Sequence, residues 1–203
     1  MNFFPVFTNI EGRYVFLQGK GQHAIEKIQK LLPYGAIIHI FNEDGHEEFP
    51  QHPQIIFRGR KLTEEDLASL PVFVITADIS TEEAETIYQW CISRNIPINT
   101  VDVPHLCTFY FPALITKGAF TMAISTSGKS PAAASILRKN LENQIPDHID
   151  RILDWSEEIR NRLKITHPDP SQRRKILRKA VALALDEDRI PTEEELKIIL
   201  KEI

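Results

Sequence analysis

Residues 14–41 constrain this chain more than any other stretch. The apolar run Tyr14–Leu17 passes at once into Gly19-Lys20-Gly21-Gln22-His23-Ala24. Ala24, Ile25, Ile28, Leu31 and Leu32 then keep helical spacing up to Gly35, and Ala36–Phe41 is a second apolar run. Strand, glycine turn, helix and strand within about 30 residues is what a dinucleotide-binding unit requires. Ala24 takes the third small position of G-x-G-x-x-A. The glycines allow a tight turn and close backbone approach, and the helix start faces a pyrophosphate. Gly19, Gly21, Gln22, His23 and Ala24 are therefore candidate cofactor-binding residues. Lys20, between the glycines, either adds a phosphate contact or points to solvent. His23 stands where such turns usually carry an apolar residue, and reads as a packing substitute or as a functional imidazole.

Glu43 and Asp44 follow the second strand. An acid there accepts from a ribose 2′-hydroxyl and repels a 2′-phosphate, which favours NAD over NADP. The alternative is an acidic loop shared with Glu47 and Glu48. Beyond it, Gln54–Phe57 reads as a third strand, and Thr63-Glu64-Glu65-Asp66 opens a helix with good capping chemistry. Val72–Thr76 is a buried strand ending at Ala77-Asp78. Ser80-Thr81-Glu82-Glu83 caps a helix carrying Ile87, Trp90 and Cys91, and Ile96–Val101 is the fifth strand. This alternation predicts an α/β fold with a parallel, doubly wound, Rossmann-type sheet.

Asp102 ends the fifth strand, at the edge where open α/β sheets bind ligands, and Pro104 stops the strand or a helix from continuing. Asp102 is then a catalytic or substrate-orienting acid, or a structural cap on the Val101 turn. Phe109–Ile115 and Ala119–Ser125 read as two strands joined by a turn at Lys117-Gly118. The second runs into Ser125-Thr126-Ser127-Gly128-Lys129-Ser130-Pro131, where Ser130 suits the N-cap and Pro131 the first helical position of a helix over Ala132–Leu141. Hydroxyls, a glycine and a lysine at a helix start suit an anion. An ordinary capped helix with a solvated lysine is the bland alternative. A phosphate-binding P-loop is excluded, because Ala123 stands where its first glycine must be.

From about Pro146 the β pattern stops. Ile149, Ile152, Leu153, Trp155, Ile159 and Leu163 share one helical face. After His167-Pro168-Asp169-Pro170 come Ile176, Leu177, Ala180, Val181 and Leu185, and Thr192-Glu193-Glu194-Glu195 caps a last helix ending near Ile203. The expected organisation is a nucleotide-binding domain over 1–112, a small β-containing dimerisation and substrate-cleft segment over 113–146, and an all-helical domain over 147–203. Acids and bases nearly balance in the last part, so its charged faces read as solvated surface. A net charge of −4 gives no electrostatic case for nucleic acid. The N-terminal stretch lacks the pattern of a signal peptide and no run is long enough to span a membrane, so a cytoplasmic protein is expected. Cys91 and Cys107 have the wrong spacing for a zinc site and read as reduced thiols; no metal site is expected.

The motifs LQGKGQHA, ITAD, NTVDVP, FPA and AISTSGKSP, in this order, resemble the precorrin-2 dehydrogenase family, the dehydrogenase and ferrochelatase part of siroheme synthases. The match runs from Phe4-Pro5-Val6-Phe7 to about Leu141, with a weaker helical match beyond. Lys20 replaces a middle glycine, His23 a valine, and Ala77 a threonine. The resemblance implies NAD-dependent oxidation of the tetrapyrrole precorrin-2 to sirohydrochlorin by a homodimer whose helical C-terminal parts help form the cleft. By position, Asp102 becomes the key acid. Gln22, His23, Glu43 and Asp44 line the nucleotide site, with Thr76, Ala77 and Asp78 matching a nucleotide-side motif. Ser125, Thr126, Ser127, Gly128, Lys129 and Ser130 meet the substrate's carboxylates. His105 is a second proton carrier or metal contact, or a surface loop histidine.

The chemistry agrees with the residues. Removing hydride from a conjugated macrocycle leaves a cation that a carboxylate can stabilise and deprotonate. Two alternatives remain open. The enzyme could also insert Fe²⁺ into sirohydrochlorin, which needs a general base but no fixed metal cage. A non-enzymatic NAD-sensing module would use the glycine turn but has no use for Asp102 together with the SGKSP loop.

Overall fold

A computed structural model of the chain describes residues 3–45 and 49–201. It divides into two compact units, Met1–Phe111 and Pro112–Ile203.

The first unit is a parallel sheet with helices on both faces. Its strands are β1 (Tyr14–Gly19), β2 (Ile37–Phe41), β3 (Ile55–Phe57), β4 (Phe73–Ala77) and β5 (Ile98–Thr100), in the order β3-β2-β1-β4-β5. Every pairing in it is parallel. Strand β1 is central and buried on both faces, so its sequence is an unbroken apolar run rather than an alternation. The period of two still sorts its side chains. Val15 and Leu17 join Ile28, Ile38, Ile40 and Ile75 on the face covered by α1 (Gly21–Leu31). Phe16 joins Phe41, Val74, Ile87 and Ile98 on the face covered by α2 (Thr81–Ser93). The chain leaves β1 towards β2 and β3, then returns to the other side of β1 for β4 and β5. That reversal opens a crevice at the carboxyl ends of β1 and β4.

Most elements fall within a residue or two of the sequence reading, and three differences have a clear physical reason. Thr63-Glu64-Glu65-Asp66 opens only a 3-10 turn, Glu65–Ser69, which ends at Leu70 in the left-handed region with Pro71 next. The capping works as expected, with Thr63 N–H donating to the Asp66 carboxylate at 2.9 Å, but nothing propagates the helix. The strand expected from Phe109 begins at Ala113, because Phe109 and Phe111 turn their rings onto Phe73, with centroids 4.9 and 6.1 Å away. The hairpin turn lies at Gly118-Ala119 rather than Lys117-Gly118, since Lys117 pairs with Phe120 in the ladder.

The second unit holds that hairpin, β6 (Ala113–Lys117) and β7 (Phe120–Ile124), followed by α3 (Pro131–Glu142), α4 (Ile149–Thr166), α5 (Pro170–Asp186) and α6 (Glu193–Lys201). Ser130 caps α3 by accepting from Ala133 N–H at 3.1 Å, with Pro131 first in the helix, as the sequence indicates. Asp169 caps α5 through Ser171 and Gln172 N–H. Ile159 and Leu163 of α4, Ile176 and Ala180 of α5, and Leu196 and Ile199 of α6 form the helical core. The end of the last helix expected near Ile203 lies outside the described residues, as do Glu47 and Glu48.

The β1–β4 contact yields the first prediction. A Cβ on Gly19 would sit 1.8 Å from the Ala77 carbonyl oxygen, and φ is +138°. Gly19→Ala must separate two central strands and should cost about 3 kcal/mol or more in urea unfolding. A Cβ on Gly21 would meet only the movable Asp78 carboxylate, 2.7 Å away. Gly21→Ala should cost about half as much, chiefly through its left-handed backbone.

Candidate active site at the carboxyl edge of the sheet

Two aspartates follow two adjacent strands, both in the left-handed region that short polar side chains tolerate: Asp78 after β4 (φ +53°) and Asp102 after β5 (φ +60°). Opposite them, Gly19 lies against Ala77, Lys20 N–H donates to the Ala77 carbonyl at 3.3 Å, and α1 starts at Gly21. The first turn of α1 carries no acidic side chain, so nothing on it offsets the positive end of the helix dipole. A side chain is excluded at Gly19 and absent at Gly21, and the backbone there forms a shallow cradle at a helix start. This is what a dinucleotide pyrophosphate requires, and the residues present fit one.

Gln22 and His23 stand exposed in that first turn. His23 Nδ1 lies 3.0 Å from Asp78 Oδ1. The hydrogen bond to Asp78 and its charge, with smaller help from Asp102 and Glu26, hold the imidazole above its ordinary pKa. His23 is therefore an exposed hydrogen-bond partner of Asp78, not a packing substitute. Ala24 is fully buried beneath the turn, where its small size lets α1 approach the sheet.

Lys20 pairs with Asp44 across the end of β2. That hydrogen bond and charge, with Lys61 nearby, hold the Asp44 carboxyl below its ordinary range. Asn42 builds the turn beneath, its side chain accepting from Asp44 N–H at 3.1 Å and donating to the Gly45 carbonyl at 3.2 Å. Glu43 is exposed beside this pair.

Thr76 is not on the ligand side. It is fully buried, and its hydroxyl donates to Thr100 Oγ1 at 2.9 Å, which in turn donates to the Leu106 carbonyl at 3.1 Å. Ala77 is buried too, its carbonyl facing Gly19. Only Asp78 of that motif reaches the surface of the crevice. The Asp102 turn is braced from below: Cys107 Sγ donates to the Thr100 carbonyl at 3.1 Å and accepts from Thr100 N–H at 3.3 Å. Burial pushes the Cys107 thiol up, so it is a structural group rather than a nucleophile. His105 is exposed on the 3-10 turn Pro104–Leu106 and makes no hydrogen bond to Asp102.

One residue of this edge escaped the sequence reading. Lys27, one turn beyond His23 on α1, is half-buried with Nζ 4.8 Å from the centre of the Phe111 ring. Burial, then Lys30, lowers its pKa, opposed by Glu26 and Asp102. The i, i+4 spacing of His23 and Lys27 was the available signal.

In the second unit the loop after β7 closes on itself. Thr126 Oγ1 accepts from Ser130 N–H and donates to the Ser130 carbonyl at 3.1 and 3.0 Å, and Ser127 N–H donates to Ser125 Oγ at 3.1 Å. Ser127 and Gly128 both take positive φ. Thr126 and Ser130 are spent on the loop, leaving Ser125, Ser127, Gly128 and Lys129 exposed.

The family described as "Putative NAD(P)-binding" matches residues 6–113. The chain belongs to this NAD(P)-binding family. A second family, "Sirohaem biosynthesis protein central", matches residues 117–144. Siroheme synthase 2 of Aeromonas salmonicida is 30% identical over 188 residues, covering 90% of this chain and 38% of that protein. Siroheme biosynthesis protein met8 of Schizosaccharomyces pombe is 30% identical over 182 residues, covering 83% of this chain and 66% of that one. The chain thus spans about 38% of the length of the siroheme synthases it matches. The solved structure of SirC, precorrin-2 dehydrogenase, has the same fold, with a TM-score of 0.71 and 19% identity over 98% of both chains. The family resemblance drawn from the sequence and the Rossmann-like fold both hold. Among the described residues no helix of this NAD(P)-binding protein is long and apolar enough to cross a membrane.

The second prediction concerns His23. Its folded-state pKa is raised, so the pair with Asp78 adds stability below the unfolded pKa and loses it as pH rises through the folded value. Imidazole NMR should show His23 titrating above 6.5 and returning towards it in Asp78→Asn. The same variant should be destabilised more at pH 5.5 than at pH 8.5.

Proposed function

We propose that this chain is an NAD-dependent dehydrogenase that oxidises precorrin-2 to sirohydrochlorin in siroheme biosynthesis. The observation that carries the reading is the edge itself, where an exposed carboxylate, Asp102, follows β5 at the crevice opened by Gly19, Gly21 and the start of α1. NAD, when bound, accepts the hydride. Gly19 and Gly21 admit the pyrophosphate to the backbone, and the start of α1 offsets its charge. Asp44 takes the ribose hydroxyl, with Lys20 fixing its position. Asp102 stabilises positive charge as a C–H bond of the macrocycle gives up its hydride, and then receives a proton from the oxidised ring. His23 holds Asp78 in place by a hydrogen bond, and Lys27 adds a basic group beside the same edge. Ser125, Ser127 and Lys129 bind substrate carboxylates. We assign segment 113–146 to dimerisation and the substrate cleft and 147–203 to a helical domain, in a cytoplasmic homodimer. The names of the siroheme synthase relatives and of the SirC structure support the substrate.

Purified protein, incubated anaerobically with enzymatically generated precorrin-2, should form sirohydrochlorin with NAD⁺, more slowly with NADP⁺, and not without a nucleotide. Asp102→Asn should keep its fold and nucleotide affinity while kcat falls about 100-fold or more. No oxidation with either NAD⁺ or NADP⁺ would overturn the reading. A final Fe²⁺ step, compared with the spontaneous rate, decides whether the same chain also chelates. Asp44→Asn removes the charge that opposes a 2′-phosphate, so the preference in kcat/KM for NAD⁺ over NADP⁺ should fall about tenfold.

A further inference from the structure

Five cations of the second unit converge on one cavity. Arg160 and Lys164 of α4, with Arg173, Arg174 and Arg178 of α5, line a space of about 550 Å³ together with Ser156, Pro170, Leu177 and Val181. Among the described residues no acidic side chain lines it. The lining follows helix periodicity. Ser156, Arg160 and Lys164 form a row four residues apart on α4. On α5, half-buried Arg173, Leu177 and Val181 make a second row, and exposed Pro170, Arg174 and Arg178 a third. The result is an apolar floor between two basic walls.

This concentration runs against the rest of the molecule. The net charge is −4, and several arginines elsewhere are matched by a carboxylate: Arg60 with Asp66, Arg94 with Glu64, Arg138 with Glu142 and Arg189 with Glu195. In the cavity Arg173 donates to the His167 and Pro168 carbonyls at 2.7 and 2.6 Å, and Lys164 to Asn161 at 3.1 Å. Arg160, Arg174 and Arg178 have no carboxylate partner among the described residues. Like charges held this close repel one another, and an anion seated between them relieves that repulsion. Guanidinium forks on two facing helices suit carboxylates in bidentate geometry.

We propose that the groove between α4 and α5 is a binding site for a compact polycarboxylate with an apolar body. The volume is that of a small-molecule pocket, and Leu177 and Val181 give an apolar ring a surface to rest on. A nucleic acid would instead call for an extended basic face, and the overall charge opposes it. For the identity of the ligand the inference rests on the proposed function, whose tetrapyrrole substrate and product are polycarboxylates with apolar rings.

Uroporphyrin, a stable porphyrin with a carboxylate on every side chain, is the probe. It is titrated into the full chain and followed by its absorption and by quenching of the tryptophan fluorescence. Two double variants, Arg174→Ala with Arg178→Ala and Arg160→Ala with Lys164→Ala, alter exposed residues and are checked for helicity by circular dichroism. Each should raise Kd about tenfold or more at low salt. Unchanged Kd in both folded double variants overturns the proposal. So does a single-stranded oligonucleotide that displaces the porphyrin at matching phosphate concentration, which would make the groove a general polyanion surface. Precorrin-2 oxidation is assayed in parallel. Arginine-dependent porphyrin binding without oxidation keeps the groove and removes the proposed function. Oxidation with porphyrin binding that ignores the arginines does the reverse.

Discussion

The candidate site depends on one close approach, that of the Gly19 backbone to the Ala77 carbonyl. Strands β1 and β4 are neighbours that are not consecutive, and their carboxyl ends meet where the chain reverses its direction across the sheet. A side chain at position 19 would wedge them apart. Because none is there, Lys20 N–H reaches the same carbonyl, α1 starts directly above the strand ends, and Asp78 emerges beside it. The position of Asp102 follows from the same frame, since Val101 N–H donates to the Thr76 carbonyl at 2.9 Å. An anion-facing helix start and two carboxylates thus share a single origin.

The ion pairs of this edge are exposed, and exposed pairs contribute little to stability. What they set is charge and position. Lys20 offsets Asp44 where the ribose acid is expected, and His23 offsets Asp78 beside the helix start. Asp102 carries no such direct partner among the described hydrogen bonds, though Lys27 and His23 both feel its charge. Of the three aspartates along this edge, it is the one without a side-chain partner among the described hydrogen bonds.

Much of this was legible in the sequence because it is local. The glycine turn, the apolar runs, the Ser130-Pro131 cap and the acid after the fifth strand all declare themselves within a few residues. Pairings set by strand order do not. His23 meets Asp78 and Lys20 meets Asp44 only because β2, β1 and β4 lie side by side, so neither partner could be named from the chain alone. Thr76 was misplaced for a related reason. Residues near a strand end share a motif but not a face, and strand periodicity turns the Thr76 hydroxyl into the β4–β5 pairing. The balanced charge of the last helices concealed a local concentration, with Arg160 and Lys164 of α4 and three arginines of α5 gathered in one groove.

The brace beneath Asp102 bears on its proposed catalytic role more directly than its surface contacts do. A carboxylate lowers a barrier most when it is already placed where charge will develop, so that little rearrangement accompanies the step. A left-handed aspartate on a free loop would not meet that condition. Here the turn is tied from below by Thr76, Thr100 and Leu106 in one chain of hydrogen bonds, and by Cys107 against both polar groups of the Thr100 backbone. All four residues are buried, so water does not compete for these bonds. The cost of holding Asp102 in its conformation is met during folding, inside the sheet, and the exposed carboxylate is left with few ways to move.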